Sequence, residues 1–379
     1  MANETKNKSK GWRSAKFLAL SLLCIFSFTG CTKEEIEDGV GIALDVLEEV
    51  LAETEVETNV ETKPETDFKH TSKATTASNN KTNSKSETVT TVSGEMTVHF
   101  IDVGQADATL FVQNGQTMLF DAATRNRGDD VVEYIKNLGI DYIDVLVLSH
   151  PHDDHMGGSA EILNNIEVGT VYGPDIFSIK SLDTIGWYNN MVDAIDTIDE
   201  ERNKDVAEDN QTSIWNFPRK ENGEFAKFNI GDAIVEFYAP FEEEYSDLND
   251  YSICAKVTFG TIDVFLTGDA TTSVEEALIS EGYNLDVEIF QAGHHGSDTS
   301  NSKEFLEAMS PESIVISCGM ENKYNHPVKS VVELYKEMEI PVYRTDESGS
   351  IVMTTDGTNY SFNKNPGTYT SGEEYRNNE

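Results

Sequence analysis

The chain has 379 residues and a formal net charge of −40. That length holds two or three domains, but the N-terminal quarter is too polar to pack a core, so one large domain is expected. A surface this acidic raises no attractive potential toward nucleic-acid phosphates or anionic lipid, which argues against strong non-specific nucleic-acid binding but not against a local site where bound cations supply positive charge.

Residues 1–16 carry Lys6, Lys8, Lys10, Arg13 and Lys16 against Glu4. "FLALSLLCIFSFTG" follows, an apolar run too short for a comfortable membrane span but right for a signal-peptide core. It ends at "FTGC", a small-residue pair before Cys31 that resembles the lipobox of bacterial lipoproteins, in which the signal is cut and the new N-terminal cysteine is lipidated. The expectation is a signal peptide over 1–30 and an exported protein, lipid-anchored through Cys31 to the outer face of the bacterial cell membrane. An uncleaved anchor or an ordinary secretory signal is the alternative. Loss of the leader makes the mature chain more acidic still, because it removes five bases and one acid.

Residues 31–94 read as a tether. Its second half, "TSKATTASNNKTNSKSET", has too little apolar surface to fold, and His70 also lies in the tether. In the first half Ile36, Val40, Leu44, Leu47 and Leu51 keep helical spacing, which predicts a short amphipathic helix with an acidic opposite face.

Order is expected over 95–363. "EMTVHFIDV", "ATLFVQ" and "QTMLFDA" are strands, and Asn114-Gly115 between the last two is a strong hairpin signal. "DDVVEYIKNLG" has helical spacing and a glycine stop, and leads into the buried strand "IDVLVL". Residues 175–229 are the least regular and most acidic part, expected as a helical or loop insertion near the site. "AIVEFYAP" and "ICAKVTFGTIDVFLTGD" are strands with a Gly260-centred turn. Strand and helix then alternate through "SVEEALISEG", "VEIFQAG", "SKEFLEAM", "SIVISCG" and "SVVELYKEM", and two short strands close the chain around "YRTDESGSIVMTT". This pattern predicts an α/β fold of two mixed sheets packed together with helices outside. Cys254 and Cys318 lie inside strand-like runs and read as buried small hydrophobes. The tail, 364–379, is expected to be disordered.

Six of the eight histidines fall in three clusters, each following an apolar strand: His150, His152 and His155; His294 and His295; and His326. Asp269 in "VFLTGDA" also sits just past a strand end. Strand ends on one rim bring distant segments together. In an extended stretch His150 and His152 point the same way and grip one ion; Asp154 and His155, after the turn, reach a second. Imidazole and carboxylate together suit Zn, Mn or Fe. A carboxylate such as Asp269 bridges two ions, and one histidine of the later pair closes the second site. Two such ions ionise a water without any protein nucleophile.

At "HPHDDHMGG" the sequence resembles the H-x-H-x-D-H signature of metallo-β-lactamase-fold hydrolases. The wider set, "HFIDVGQADATL", "NDYSICAKVTFGTIDVFLTGDA", "GHHGSDTS", "SCGMENKYNHP" and "YRTDESGSIVM", resembles the metallo-hydrolase domain of ComEC-type competence proteins over roughly residues 95–355. The resemblance implies an αββα four-layer sandwich, two divalent metal ions, Zn or Mn, at one edge, and hydrolysis of a phosphodiester substrate. It implies His150, His152, Asp154, His155, Asp269 and His295 as metal ligands. Catalytic roles fall to Asp154, His294 and His326, with His294 near the nucleophile or leaving group.

Most of that superfamily carries a histidine in its third motif; the corresponding place here lies near "NDYS", with Asn249 and Ser252, so the first metal site is expected to be open or to suit a harder ion. Asp102 and Asp107 in "DVGQAD" are candidates for turn-shaping or for supporting the site. Ser297, Thr299 and Ser300 either bind a phosphate oxygen or cap the "SKEFLEAM" helix. Asn322, Tyr324 and His326 in "NKYNHP" form a candidate substrate edge. The alternative to a surface-tethered hydrolase is a non-catalytic surface module whose degenerate metal site binds a DNA-uptake or envelope partner.

Overall fold

The computed structural model describes residues 92–377 apart from 208, 209 and 221. The expected signal peptide, the lipidated Cys31, the amphipathic helix and His70 lie outside the described residues, and among those described no helix is long and apolar enough to cross a membrane.

Among the described residues fifteen strands make two mixed sheets. In chain order they are β1 (Met96–Phe100), β2 (Thr109–Gln113), β3 (Gln116–Phe120), β4 (Tyr142–Val147), β5 (Glu167–Tyr172), β6 (Trp215–Asn216), β7 (Lys227–Ile230) and β8 (Ala233–Phe237). Then follow β9 (Ala255–Phe259), β10 (Ile262–Leu266), β11 (Ile289–Gln291), β12 (Ser313–Ile316), β13 (Val342–Arg344), β14 (Ile351–Thr355) and β15 (Tyr360–Phe362). The first sheet runs β15-β14-β1-β2-β3-β4-β5-β6 and the second β13-β12-β11-β10-β9-β8-β7. The β2–β3 hairpin turns at Asn114 and Gly115, whose φ values of 51° and 79° are what a tight two-residue turn demands.

Period-two alternation buries both faces of the central strands. Phe111, Met118, Phe120, Val145 and Val147 of the first sheet meet Val235, Val257, Val264, Leu266, Ile289 and Val315 of the second. Their neighbours Leu110, Leu119 and Leu146 face outward against the helices α1 (Gly128–Asn137), α3 (Ser159–Asn165) and α4 (Gly186–Asn203). On the far side Phe265, Phe290, Ile314 and Ile316 pack against α5 (Thr272–Ser280), α6 (Lys303–Met309) and α7 (Lys329–Glu337). The result is the expected αββα sandwich, and the four-residue helix α2 (Asp153–Met156) lies at its rim.

One expectation is refined and one corrected. Residues 175–229 are partly helical, as a helical or loop insertion would be, but they are also built into the core: α4 buries Trp187, Tyr188, Met191 and Ile195, and β6 and β7 supply one edge of each sheet. The tail is ordered to residue 377. It runs past the short helix α8 (Thr345–Ser348) and ends in α9 (Gly372–Asn377). Tyr369 Oη donates to the Ile340 carbonyl at 2.8 Å, Ser371 is fully buried, and the Arg344 guanidinium takes the carbonyls of Thr368 and Thr370. Composition suggested a loose end because polar side chains dominate, yet the backbone carbonyls and one tyrosine do the anchoring. Cys254 and Cys318 are buried and free.

Candidate metal centre

The site lies at the C-terminal ends of β3, β4, β10, β11 and β12, strands that run parallel within each sheet. The extended stretch expected here is instead a bend: past β4 His152 N donates back to the His150 carbonyl at 2.9 Å, and this turn sets His150 Nε2 3.0 Å from His152 Nδ1. One turn of α2 then presents Asp154 and His155. That turn is held from behind: Ala122 N donates to the His155 carbonyl at 2.7 Å, and Asp107 N to the Asp154 carbonyl at 3.1 Å. Gly157 and Gly158 are required by the same packing. A Cβ on Gly158 would collide with the Ala122 carbonyl, and one on Gly157 with the Asp153 carbonyl.

Asp269 is the hub. Its Oδ1 lies 3.1 Å from His155 Nε2 and 3.9 Å from His295 Nε2, while Oδ2 lies 3.4 Å from His294 Nε2 and 3.7 Å from His150 Nε2. Ser252 Oγ accepts the Asp269 backbone N–H at 3.1 Å and so sets the carboxylate's origin. His294 and His295 both adopt left-handed φ, 51° and 54°, a strained conformation for non-glycine residues that recurs at functional sites. The turn splays the pair. His295 is buried, with Nδ1 donating to the Ser317 carbonyl at 2.9 Å and Nε2 facing Asp154 Oδ2 at 3.5 Å. His294 is partly exposed and bonds Thr299 Oγ1 through Nδ1 at 2.9 Å.

The donor set fits divalent cations. Asp107 Oδ1, His155 Nε2, Asp269 Oδ1 and His295 Nε2 are all buried with no hydrogen-bond partner. Each such atom costs about 1–3 kcal/mol unless something pairs with it. They belong to three clusters whose ligand atoms lie within 4.8 Å of one another: His150, His155 and Asp269; Asp154, His155 and His295; and Asp107, Asp121 and His155. The carboxylates Asp107, Asp121, Asp154 and Asp269 therefore need countercharge. Against the cost of burial, Asp269 and Asp121 hold the His155 pKa well above its ordinary value, and Asp269 with Asp107 does the same for His295. Asp269 is held well below the carboxylate range by His155, His295 and His294, which outweigh burial. Burial, reinforced by His155, pushes His150 well down and keeps it a neutral donor. These His/Asp clusters are compatible with a dinuclear metal site.

The remaining candidates divide. His326 is buried beside the ligand set, its ring 5.5 Å from that of His294 and 6.3 Å from that of His295. Burial and the two neighbouring histidines depress its pKa to about 3, so it is neutral. Asn322 folds the loop, donating to the Gly319 carbonyl at 2.8 Å and the His326 carbonyl at 2.6 Å and accepting His326 N at 3.0 Å. Tyr324 stands on the rim, 49% exposed. Ser297 Oγ bonds Thr299 at 3.0 Å, and neither it nor Ser300 caps α6; Ser302 does, accepting Phe305 N at 3.3 Å. Asp102 is exposed and shapes its own turn, accepting Gly104 N at 3.2 Å. Asp107, by contrast, lies 3.4 Å from His295 Nδ1. Ser252 touches the Asp269 backbone, and Asn249, one short turn before it, has a buried Oδ1 without a partner.

Two residues escaped the sequence reading. Asp121, in left-handed φ of 63° just past β3, accepts from Ser149 N at 2.7 Å, Ser149 Oγ at 2.8 Å and His155 Nδ1 at 2.7 Å. Its signal was present as an acid closing the apolar run "TMLFD". Gln105 donates to His326 Nδ1 at 3.4 Å and accepts Gly319 N at 3.1 Å, and nothing in "DVGQAD" singles it out.

Comparison with known proteins agrees. A family model described as the metallo-beta-lactamase superfamily matches residues 101–319. "ComE operon protein 3" of Bacillus subtilis is 24% identical over 285 residues, covering 69% of this chain and 33% of that protein. "Competence protein ComA" of Neisseria gonorrhoeae is 30% identical over 261 residues, covering 68% and 32%. The chain thus spans about a third of the length of these relatives. Among solved structures, the metallo-beta-lactamase fold protein YhfI of Bacillus subtilis is 12% identical with a TM-score of 0.44, covering 69% of this chain and 100% of that one. With the family model spanning more than half of its length, the chain belongs to the metallo-beta-lactamase superfamily.

Proposed function

We propose that this protein is a metal-dependent phosphodiesterase, tethered outside the cytoplasm through Cys31 and acting on extracellular DNA, a nucleotide or an envelope phosphodiester. The observation that carries the reading is Asp269, whose two oxygens face different histidines, His155 through Oδ1 and His150 and His294 through Oδ2. His150, His152, Asp154, His155, Asp269 and His295 would hold two divalent ions, Zn or Mn. Such ions supply Lewis acidity and an acidified water. The clusters bring together more donors than the four that close a structural site, which supports this reading.

The chain's own groups then bind and orient. When the Gln105 amide donates to His326 Nδ1, the neutral ring keeps its proton on Nε2, a donor for a phosphoryl or leaving-group oxygen. His294, partly open to solvent, is oriented by Thr299 through Nδ1 and stands with Nε2 3.4 Å from Asp269 Oδ2, beside the solvent-facing mouth of the site. The competence names of the relatives support a nucleic-acid phosphodiester, whereas fold alone assigns no substrate. The acidic surface favours short substrates over long DNA drawn in by steering.

The second reading, a non-catalytic module holding metal for a partner, draws on Ser252 and Asn249 standing where a ligand histidine is expected. The purified protein loaded with Mn²⁺ or Zn²⁺ decides, assayed on bis(p-nitrophenyl) phosphate, DNA and a β-lactam. Phosphodiester turnover lost in Asp154→Ala and Asp269→Ala with folding intact supports catalysis. Metal bound without turnover on any substrate rejects it.

A further inference from the structure

A ladder of rings leads from the buried histidines to the surface. The His295 and His326 rings lie 6.3 Å apart and 28° from parallel, and His326 and Tyr324 5.5 Å and 23°. Tyr324 is the outer rung, and the exposed Lys323 ammonium lies over its ring, 4.6 Å from the centroid, on a flexible stem that a stacking base would displace. An exposed tyrosine at the mouth of a site offers a flat apolar face on which another ring can stack.

The loop bearing this pair is braced. Gly319 packs so close to the Gln105 amide that a Cβ there would approach it to 2.7 Å. Gly372 N donates to the Pro327 carbonyl at 3.0 Å, and the Arg376 guanidinium bonds the Asn322 carbonyl. The tail is therefore a clamp on the loop, and the exposed ring is pre-organised. The Tyr324 hydroxyl, and after it Asp154, raises the Lys323 pKa, so this exposed side chain stays a cation at the mouth of an acidic site in an acidic chain.

We propose that Tyr324 and Lys323 form a subsite for a nucleotidyl substrate, the ring stacking on a base beside the scissile bond and the ammonium meeting a neighbouring phosphate. This rests on the phosphodiesterase reading and narrows it. Base stacking tolerates any sequence and needs no long-range steering, which suits a chain of this charge. A choline-type headgroup would bring a cation against Lys323, which disfavours it.

Thymidine 5′-(p-nitrophenyl phosphate) and methyl p-nitrophenyl phosphate share a leaving group and differ in the base-bearing part. With the Mn²⁺-loaded full chain, Tyr324→Ala should lower the ratio of kcat/KM for the thymidine ester over the methyl ester by roughly 5- to 150-fold. Tyr324→Phe should preserve the ratio. An unchanged ratio in Tyr324→Ala overturns the subsite. Calorimetric binding of thymidine 5′-monophosphate gives a readout without turnover: weaker binding by Tyr324→Ala and by Lys323→Ala supports the subsite, and equal affinity or no binding by the parent protein overturns it. If neither ester turns over while the nucleotide still binds through Tyr324, the phosphodiesterase reading falls and the subsite stands.

Discussion

Asp121 Oδ2 lies 2.7 Å from His155 Nδ1, and that contact turns the opposite nitrogen, Nε2, toward Asp269 Oδ1 at 3.1 Å. A carboxylate behind a ligating imidazole fixes its orientation and raises its basicity. Asp121→Asn keeps the shape and removes the charge. Metal affinity should fall about 10- to 100-fold, read by competition with a chelating dye. Unchanged affinity would show that Asp121 is only a packing group.

Metal uptake should release protons. Without cations, the neighbouring carboxylates keep His155 and His295 protonated, since both pKa values stand well above ordinary. A ligand must lose its proton to bind, so affinity rises with pH and weakens as pH falls from about 8 to about 6. Calorimetry in two buffers of different ionisation heat measures the release. Removing the metal should also lower Tm, since an ion at 100 times its Kd stabilises by about 2.7 kcal/mol. Equal affinity across the range, with no proton release, contradicts the assignment.

Arg344 is fully buried and forks onto Asp346, 3.0 Å from Nε and 2.7 Å from Nη2, while its other arm holds the tail. Arg344→Met leaves the buried Asp346 carboxylate unpaired, a loss of about 3–5 kcal/mol. Thermal unfolding should show it, and limited proteolysis should open the chain after residue 363. Adding Asp346→Leu should recover much of the stability. A tail that stays protected in Arg344→Met would disprove the clamp.

His99, buried in β1 between Thr97 Oγ1 and Tyr134 Oη at 3.0 Å each, has its pKa lowered by burial. Folded below unfolded means that the unfolded chain binds the extra proton as pH drops beneath about 6.5, so stability is lost in that direction. His99→Gln should flatten the slope by up to about 1.4 kcal/mol per pH unit. The same slope in both proteins would show that His99 does not contribute.

Much of the cluster was legible because its histidines and aspartates are chemically distinctive and stand just past apolar strands, which is where parallel strands deliver them. What stayed hidden acts through geometry. Asp121 is an ordinary strand-end acid until the fold sets His155 beside it, and Gln105 matters only because Gly319 lets two loops touch. The tail was misread because composition weighs side chains, whereas its anchors are the carbonyls of Thr368 and Thr370. Residues 175–229 look acidic overall, yet α4 turns Trp187, Met191 and Ile195 inward.

The central claim is that Asp269 joins two cation sites. Elemental analysis of the purified protein, loaded with Zn²⁺ or Mn²⁺ and desalted, tests it most directly. Two ions per folded chain are expected, with loss of both, or all but weak occupancy, in Asp269→Ala. A folded protein that retains no ions under either loading, or an Asp269→Ala variant that still holds two, would contradict it.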